Sequence, residues 1–105
     1  MTKLSIIVPV YNEEKTISEV IKKAKKTKIS YAKEIIIVDD FSTDNTRNIL
    51  KKIKDKSVKI FYHTKNMGKG AAIRTGLQNS TGEIILIQDA DLEYNPDEYE
   101  KLLKP

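Results

Sequence analysis

The feature that most constrains the fold is a run of four large aliphatic residues, 84–87, followed by three carboxylates at alternate positions, Asp89, Asp91 and Glu93. An uninterrupted apolar run of this length is typical of a strand buried on both faces of a parallel sheet. Such sheets bind ligands outside the carboxyl ends of their strands. Side chains two residues apart leave an extended chain on the same side, so the three carboxylates can converge. A D-x-D motif also arises by chance, but its position after a buried strand predicts a site for Mg²⁺ or Mn²⁺ with positions left for phosphate oxygens.

Two further apolar runs, residues 3–10 (KLSIIVPV) and 34–38 (EIIIV), predict two more buried strands. Residues 57–62 alternate apolar and polar side chains and predict another strand, the third in chain order. This strand is expected to lie at an edge of the sheet. Apolar residues at helical spacing separate the strands. We therefore predict the order β-α-β-α-β-α-β, a mostly parallel four-stranded sheet with right-handed crossovers and the strand order 3-2-1-4.

The first helix is expected to run to about residue 28, with Asn12 as its N-cap and two glutamates in its first turn. A second helix carries an apolar stripe from residue 46 to 53. A third, over residues 71–80, is expected to end with Gly82 at the position after its C-cap. The Asn-Pro-Asp sequence at 95–97 predicts the start of a fourth helix, which the sequence interrupts at Pro105.

Composition narrows the class of protein. A chain of 105 residues is expected to form one domain, and it contains no cysteine and no apolar run long enough for a membrane span. We therefore expect a cytoplasmic location. The net charge of +4 comes from lysines grouped at 22–28 and 51–59, the back halves of two predicted helices, where cations are favoured. Neither group has interleaved aromatic residues, so nucleic acid is not an expected partner.

Polar groups follow all four predicted strands and should share one rim of the sheet. Asp40 is suited to hydrogen bonding a base or ribose, although capping of the next helix near Ser42 is an equally good interpretation. Tyr11 could face a base or simply pack. Lys69, between two glycines before the third helix, could meet phosphates, but a G-K-G sequence alone is a weak motif. His63, the only histidine, is more typical of a solvated loop residue than of a catalytic one.

Four segments together, IIVPVYNEE, IIIVDDFSTDNT, NMGKGAAIRTG and IILIQDADLEYNP, resemble the nucleotide-binding half of family 2 glycosyltransferases, which have the GT-A fold. The nearest resemblance is to dolichol-phosphate mannose synthases and polyprenyl-phosphate glycosyltransferases. The match covers nearly all of the chain. We therefore expect residues 1–105 to be the N-terminal donor-binding portion of a longer glycosyltransferase and to be inactive alone.

The resemblance implies a role for particular positions. It places the nucleotide contacts at Pro9, Tyr11 and Glu13, at Val38 and Asp40, and at Asp89, Ala90 and Asp91 of the D-x-D motif. Glu93 stands at a third metal-ligand position, where relatives often have Gln. Phe41 stands where relatives usually have Gly. The catalytic groups on the acceptor side, including any base that activates a hydroxyl acceptor, are expected in residues beyond Pro105.

The function implied is metal-dependent, inverting transfer of a sugar from GDP-mannose or a UDP-sugar to a polyprenyl or dolichyl phosphate, at the cytoplasmic face of a membrane in the full-length protein. One rival is a nucleotidyltransferase of similar architecture, which would normally have a glycine-rich loop directly after the first strand. The other is a receiver-like regulatory domain, which would have its paired acids after the first strand; here Asp39 and Asp40 follow the second.

Overall fold

The structure is a computed structural model that describes residues 3–26 and 32–90. Within these ranges the elements are β1 (Lys3–Val10), α1 (Ile17–Lys26), β2 (Ala32–Asp39), α2 (Thr46–Lys51), β3 (Val58–Tyr62), α3 (Lys69–Gln78) and β4 (Ile84–Ile87). The predicted helix from about residue 95 to Pro105 lies outside the described residues, as do Asp91 and Glu93. None of the described helices is long and apolar enough to cross a membrane.

The sheet has four parallel strands in the order β3-β2-β1-β4, which confirms the predicted topology. The central strand β1 pairs with β2 over its whole length and with β4 from Leu4 to Ile7. The chain steps from β1 to β2 to β3 in one direction across the sheet and then returns past β1 to β4. Because each crossover is right-handed, this return places α3 on the opposite face from α1 and α2. Adjacent carboxyl ends of β1, β2 and β4 therefore form one rim.

The two faces of the sheet bury very different amounts of apolar surface. Even-numbered residues of β1 pack with α1, with α2 and with Leu86 in a large core, because successive side chains of a strand alternate between faces. On the α3 face the buried cluster consists of Ile36, Val38 and Ala72, with Phe61 against it. Gly76 lets α3 approach β1 closely: a Cβ atom there would lie 2.5 Å from Ile7 Cγ2.

One predicted feature of β4 is wrong. The strand was expected to be buried on both faces, but Ile85 and Ile87 are 36% and 40% exposed. They lie in register with Ser5 and Ile7 on the α3 face, and α3 packs over β1 and β2. Within residues 3–26 and 32–90, no element covers this face of β4.

Glu34 links the amino ends of three strands. Its carboxylate is nearly inaccessible to solvent and accepts hydrogen bonds from Ser5 Oγ (2.6 Å), Lys59 Nζ (2.9 Å) and Thr81 N (2.7 Å). Burial alone would raise the pKa of Glu34, but these hydrogen bonds outweigh it and lower the pKa to about 2. The ionised carboxylate therefore stabilises the end of the sheet opposite the rim.

The predicted end of the third helix needs correction. Gly82 is not part of a helix cap, because α3 ends at Gln78 with Asn79 as its C-cap. Gly82 instead donates from its N–H to Ser5 Oγ (2.8 Å), and a Cβ there would come within 2.8 Å of the Lys3 carbonyl oxygen. Glycine is required at this position by close approach to β1, a long-range contact that the local pattern does not reveal.

Candidate functional site

A cleft of about 450 Å³ lies at the rim, between the carboxyl ends of β1, β2 and β4 and the N-terminus of α3. Seven of the predicted nucleotide-binding residues line it: Pro9, Tyr11, Glu13, Asp40, Lys69, Asp89 and Ala90. They come from four separate segments of the chain. Val10, Asn66, Gly68 and Ala72 complete the lining and were not among the predicted nucleotide-binding residues.

Val38 is the described candidate that does not line the cleft. Its side chain is fully buried beneath the rim and packs with Ile36 and Ala72 on the α3 face. The side chain therefore supports Ala72, which does line the cleft. The predicted ligand contact of Val38 remains a prediction.

The loop after β1 does not begin α1 in the way predicted. Asn12 is not an N-cap: its φ is 52°, and its Oδ1 accepts hydrogen bonds from the N–H groups of Thr43 (2.8 Å) and Asp44 (3.3 Å). Residues 14–16 form a hydrogen-bonded turn, and α1 begins at Ile17. A short amide side chain readily bonds to nearby backbone in turns, and here the backbone belongs to another loop. Asn12 thus fixes the loop after β1 against the loop after β2.

Thr16 joins two parts of the cleft wall and was missed in the sequence. Its hydroxyl lies 2.9 Å from Glu13 Oε2 and 2.8 Å from the carbonyl oxygen of Ala90. Glu13 is also held by its backbone N–H, which donates to Thr46 Oγ1 (2.9 Å). These contacts hold the first and last segments of the cleft together, and no local sequence pattern indicates them.

Asp40 is only 4% exposed, and both of its carboxylate oxygens have protein donors. Oδ1 lies 2.8 Å from His63 Nδ1 and accepts from the N–H of Met67 (2.8 Å), while Oδ2 accepts from the N–H of Gly68 (2.8 Å). Burial tends to raise the pKa of Asp40, but the hydrogen bonds from His63 and the two amides lower it below its ordinary value. The carboxylate is therefore ionised at neutral pH and ties β2 to the loop before α3.

Asp39, and not Asp40, bonds Ser42, and neither carboxylate caps α2, whose N-cap is Asn45. The buried Asp39 carboxylate accepts from Ser42 N (3.1 Å) and Ser42 Oγ (2.5 Å) and from Arg47 Nε (2.6 Å). The Arg47 guanidinium also lies 5.2 Å from the ring centroid of Phe41 and 5.4 Å from that of Tyr62. Phe41 has a φ of 65°, in the left-handed region that favours glycine. Arginine stacking therefore holds an unusual turn beside the rim.

His63 is buried, contrary to the solvated loop position expected from the sequence. It is 9% exposed, and its ring lies between Asp40 and Thr75 of α3. Its backbone N–H donates to the Asp39 carbonyl oxygen (2.8 Å), and its own carbonyl accepts from Arg47 Nη2. The local sequence carries no signal of these surroundings.

Lys69 and Asp89 form an ion pair across the mouth of the cleft. Both side chains are substantially exposed, at 59% and 44%. Lys69 is the first residue of α3, and Gly68 before it has a φ of 96°. A cation at a helix N-terminus beside a carboxylate can bind an anion and a cation together.

Of the three predicted metal ligands, Asp89 lies in the described part of the chain. Asp89 supplies carboxylate oxygens, which suit a hard divalent cation, and a positive charge already lies against it in Lys69. Within the described part of the chain, no group of three His, Cys, Asp or Glu residues could hold a metal ion. The other two predicted ligands, Asp91 and Glu93, lie outside those residues. The acceptor-side catalytic groups expected beyond Pro105 also lie outside them, so their existence and position stay a prediction.

Residues 5–105 match the family model described as Glycosyl transferase family 2. The chain belongs to this family. A dolichyl-phosphate beta-glucosyltransferase of Trichomonas vaginalis is 37% identical over 109 residues, which cover 95% of this chain and 32% of that protein. The family resemblance inferred from the four segments is thereby confirmed.

Solved structures of similar proteins support the fold of this family 2 chain. TarS 1-349 of S. aureus, in complex with UDP-GlcNAc, matches with a TM-score of 0.79 and 36% identity over 95% of this chain and 29% of that one. A mannosyltransferase from Pyrobaculum calidifontis, in complex with GDP-Man and Mn²⁺, matches with a TM-score of 0.73 and 28% identity over 97% of this chain and 32% of that one. The GT-A fold prediction is confirmed. The chain spans about a third of the length of the curated relatives it matches.

Proposed function

We propose that this chain is the donor-binding part of a metal-dependent, inverting glycosyltransferase. The parent protein would transfer a sugar from GDP-mannose or a UDP-sugar to a polyprenyl or dolichyl phosphate, in the cytoplasm or at the cytoplasmic face of a membrane. The observation that carries this proposal is the cleft, because four distant segments of the family motif line one cavity of suitable size for a nucleotide. The family and the similar structures with bound UDP-GlcNAc and GDP-Man support it.

The charges of the cleft suggest where the donor's diphosphate would bind. The Lys69 ammonium and the N-terminal end of α3 both favour negative charge. On binding, the diphosphate would replace Asp89 as the partner of Lys69 and leave the Asp89 carboxylate for the metal ion. Tyr11, which lines the cleft and is 46% exposed, offers a ring face to the base.

Asp89, with Asp91 and Glu93, would hold Mg²⁺ or Mn²⁺. Bound there, the ion would act as a Lewis acid that stabilises negative charge on the diphosphate leaving group. The bond between the anomeric carbon and the diphosphate breaks as an acceptor oxygen bonds to that carbon from the opposite side, which inverts its configuration. Lys69 would neutralise charge on the departing diphosphate. A phosphate acceptor is already anionic and needs no base to activate it.

Calorimetric titration of the 105-residue chain with UDP and with GDP tests the proposal. With Mn²⁺ or Mg²⁺ present, at matched ionic strength, we expect tighter binding than without metal. Asp91→Asn should abolish the difference, while Asp55→Asn, in the loop before β3 and away from the cleft, should retain it. Lys69→Ala should weaken binding about tenfold, and Lys65→Ala, an exposed lysine not lining the cleft, should not. Equal nucleotide affinity with and without metal would contradict the proposed metal dependence.

Sugar transfer is tested separately. Incubation with UDP-glucose or GDP-mannose, Mn²⁺ and a polyprenyl phosphate, with radiolabel followed into the organic phase, should give no lipid-linked sugar from the 105 residues alone. The reason is that leaving-group binding accelerates little unless an acceptor is held in line, which can supply roughly 7 kcal/mol or more. Time-dependent product that is lost in Asp91→Asn would show that these residues already form a complete active site.

A further inference from the structure

His63 connects the wall of the cleft to the body of α3. Its Nδ1 lies 2.8 Å from Asp40 Oδ1, and its Nε2 lies 2.8 Å from Thr75 Oγ1 in the second turn of the helix. The ring is nearly inaccessible to solvent, and no ligand could contact it directly without displacing these partners. Its role must therefore be exerted through Asp40 or Thr75.

Asp40 is the link between His63 and the ligand-facing loop. Its two oxygens accept from the backbone amides of Met67 and Gly68, both at 2.8 Å. Those amides immediately precede Lys69, the cleft cation, and Gly68 itself lines the cleft. The position of the Asp40 carboxylate consequently sets the position of the loop where the diphosphate is proposed to bind.

The carboxylate needs a fixed orientation to hold both amides. Rotation about its last side-chain bond is intrinsically broad, so the hydrogen-bond partners select the orientation. Among the described residues, His63 is the side-chain donor to this carboxylate, and its ring is itself held at both ends. An ionised carboxylate accepts only, so His63 Nδ1 must carry the proton in this pair. In the neutral ring, Nε2 then accepts from the Thr75 hydroxyl.

We propose that His63 is a positioning residue for nucleotide binding: by holding the Asp40 carboxylate between α3 and the Met67 and Gly68 amides, it places Gly68 and Lys69 against the donor's diphosphate. This inference rests on the proposed donor site and adds a residue that does not touch the ligand.

Two substitutions separate this role from simple core packing. In His63→Asn the side-chain amide nitrogen occupies the place of Nδ1, so the hydrogen bond to Asp40 can be kept while that to Thr75 is lost. In His63→Gln the amide nitrogen occupies the place of Nε2, so the contact with Thr75 can be kept while that to Asp40 is lost. Both variants remove the ring, so a role limited to packing would affect them alike.

We expect His63→Gln to weaken nucleoside diphosphate binding about tenfold, as the loss of one charge-assisted hydrogen bond implies. His63→Asn should stay within about threefold of the wild-type chain, and so should Thr75→Val, which removes only the far hydroxyl. UDP and GDP with Mn²⁺ are the probes, measured by calorimetry. Equal weakening in the Gln and Asn variants, or no weakening in either, would overturn the proposal.

A second measurement requires no nucleotide. Hydrogen exchange of the Met67 and Gly68 amides, followed by NMR, should accelerate about tenfold or more in His63→Gln relative to His63→Asn. If the wild-type chain binds neither nucleotide, the proposed donor site fails, and these exchange rates still decide whether His63 holds the loop. Unchanged exchange in His63→Gln would refute the positioning role.

The wild-type chain provides a test even if the variants fail to fold. Because the chain has one histidine, its imidazole ¹⁵N signals are unambiguous. A proton on Nδ1 that exchanges slowly with solvent is expected. A neutral ring protonated on Nε2 would exclude the hydrogen bond to Asp40 and with it the proposal.

Discussion

Gly76 provides the sharpest test of how α3 packs on the sheet. A Cβ at this position would lie 2.5 Å from Ile7 Cγ2, about 0.9 Å inside the 3.4 Å at which ordinary contact begins. Ile7 is fully buried on the central strand, which is paired on both sides, and its branched Cγ2 cannot swing away as a flexible chain end could. Gly76→Ala must therefore displace the helix or the strand.

The expected magnitude follows from two opposing contributions. Alanine in a helix interior is favoured over glycine by about 1 kcal/mol, whereas overpacking a core costs about 1–3 kcal/mol. Gly70→Ala is the matched control, because Gly70 lies in the same helix with open space around its missing Cβ and no positive φ. We expect Gly70→Ala to raise the free energy of unfolding by about 0.5 kcal/mol and Gly76→Ala to lower it by about 1 kcal/mol.

Urea unfolding followed by far-UV circular dichroism measures both values. The double variant Ile7→Ala/Gly76→Ala should lose less stability than the sum of its single variants, by about 1 kcal/mol, because the smaller side chain makes room for the new methyl group. If Gly76→Ala proves as stable as Gly70→Ala, α3 does not pack directly against β1 as described.

Two further predictions concern buried carboxylates. The pKa of Glu34 is lowered to about 2 from an ordinary value of 4.5, so the ionised carboxylate stabilises the fold above pH 4.5 and this stabilisation is lost as the pH falls toward 2. When the free energy of unfolding is measured against pH, the wild-type chain should lose roughly 3 kcal/mol in acid, whereas Glu34→Gln should lack this loss and be less stable at neutral pH. Parallel pH profiles for the two proteins would contradict the lowered pKa. Arg47→Met should lower the free energy of unfolding by about 2–3 kcal/mol, because among residues 3–26 and 32–90 it leaves Ser42 as the one donor to the buried Asp39 carboxylate, and Arg47→Lys should lose less. Denaturation midpoints for Arg47→Met and Arg47→Lys equal to that of the wild-type chain would argue against that pairing.

The sheet was predictable because each strand can be recognised from a short run of neighbouring residues. Runs of β-branched residues identify strands, and the handedness rule then leaves few ways to order them. The rim followed from the same logic, since polar residues at strand ends must meet. Seven described candidates line one cleft for this reason, although they lie as much as 81 positions apart, from Pro9 to Ala90.

What could not be predicted depends on contacts between distant loops. Asn12 has the right residue type for an N-cap, but its amide binds the backbone of the loop after β2. His63 was interpreted as solvated because no local pattern places Asp40 and Thr75 on either side of its ring. The exposed side of β4 was missed because an aliphatic run indicates a strand without showing which of its faces is covered. The first two errors concern a partner in a distant part of the sequence, and the third concerns where α3 packs on the sheet.

The unequal cores on the two faces of the sheet have a consequence for local opening. In α3 only Ala72 and Gly76 are buried, two residues with little side chain to hold the helix in place, whereas α1 buries Ile17, Val20, Ile21 and Ala24. Detaching α3 should therefore require less free energy than unfolding the whole domain. The helix whose first residue is the cleft cation is then held less firmly than α1, and a bound nucleotide would stabilise it by mass action. Protease cleavage within α3 should accordingly slow when the donor nucleotide is bound, while cleavage within α1 should be unchanged.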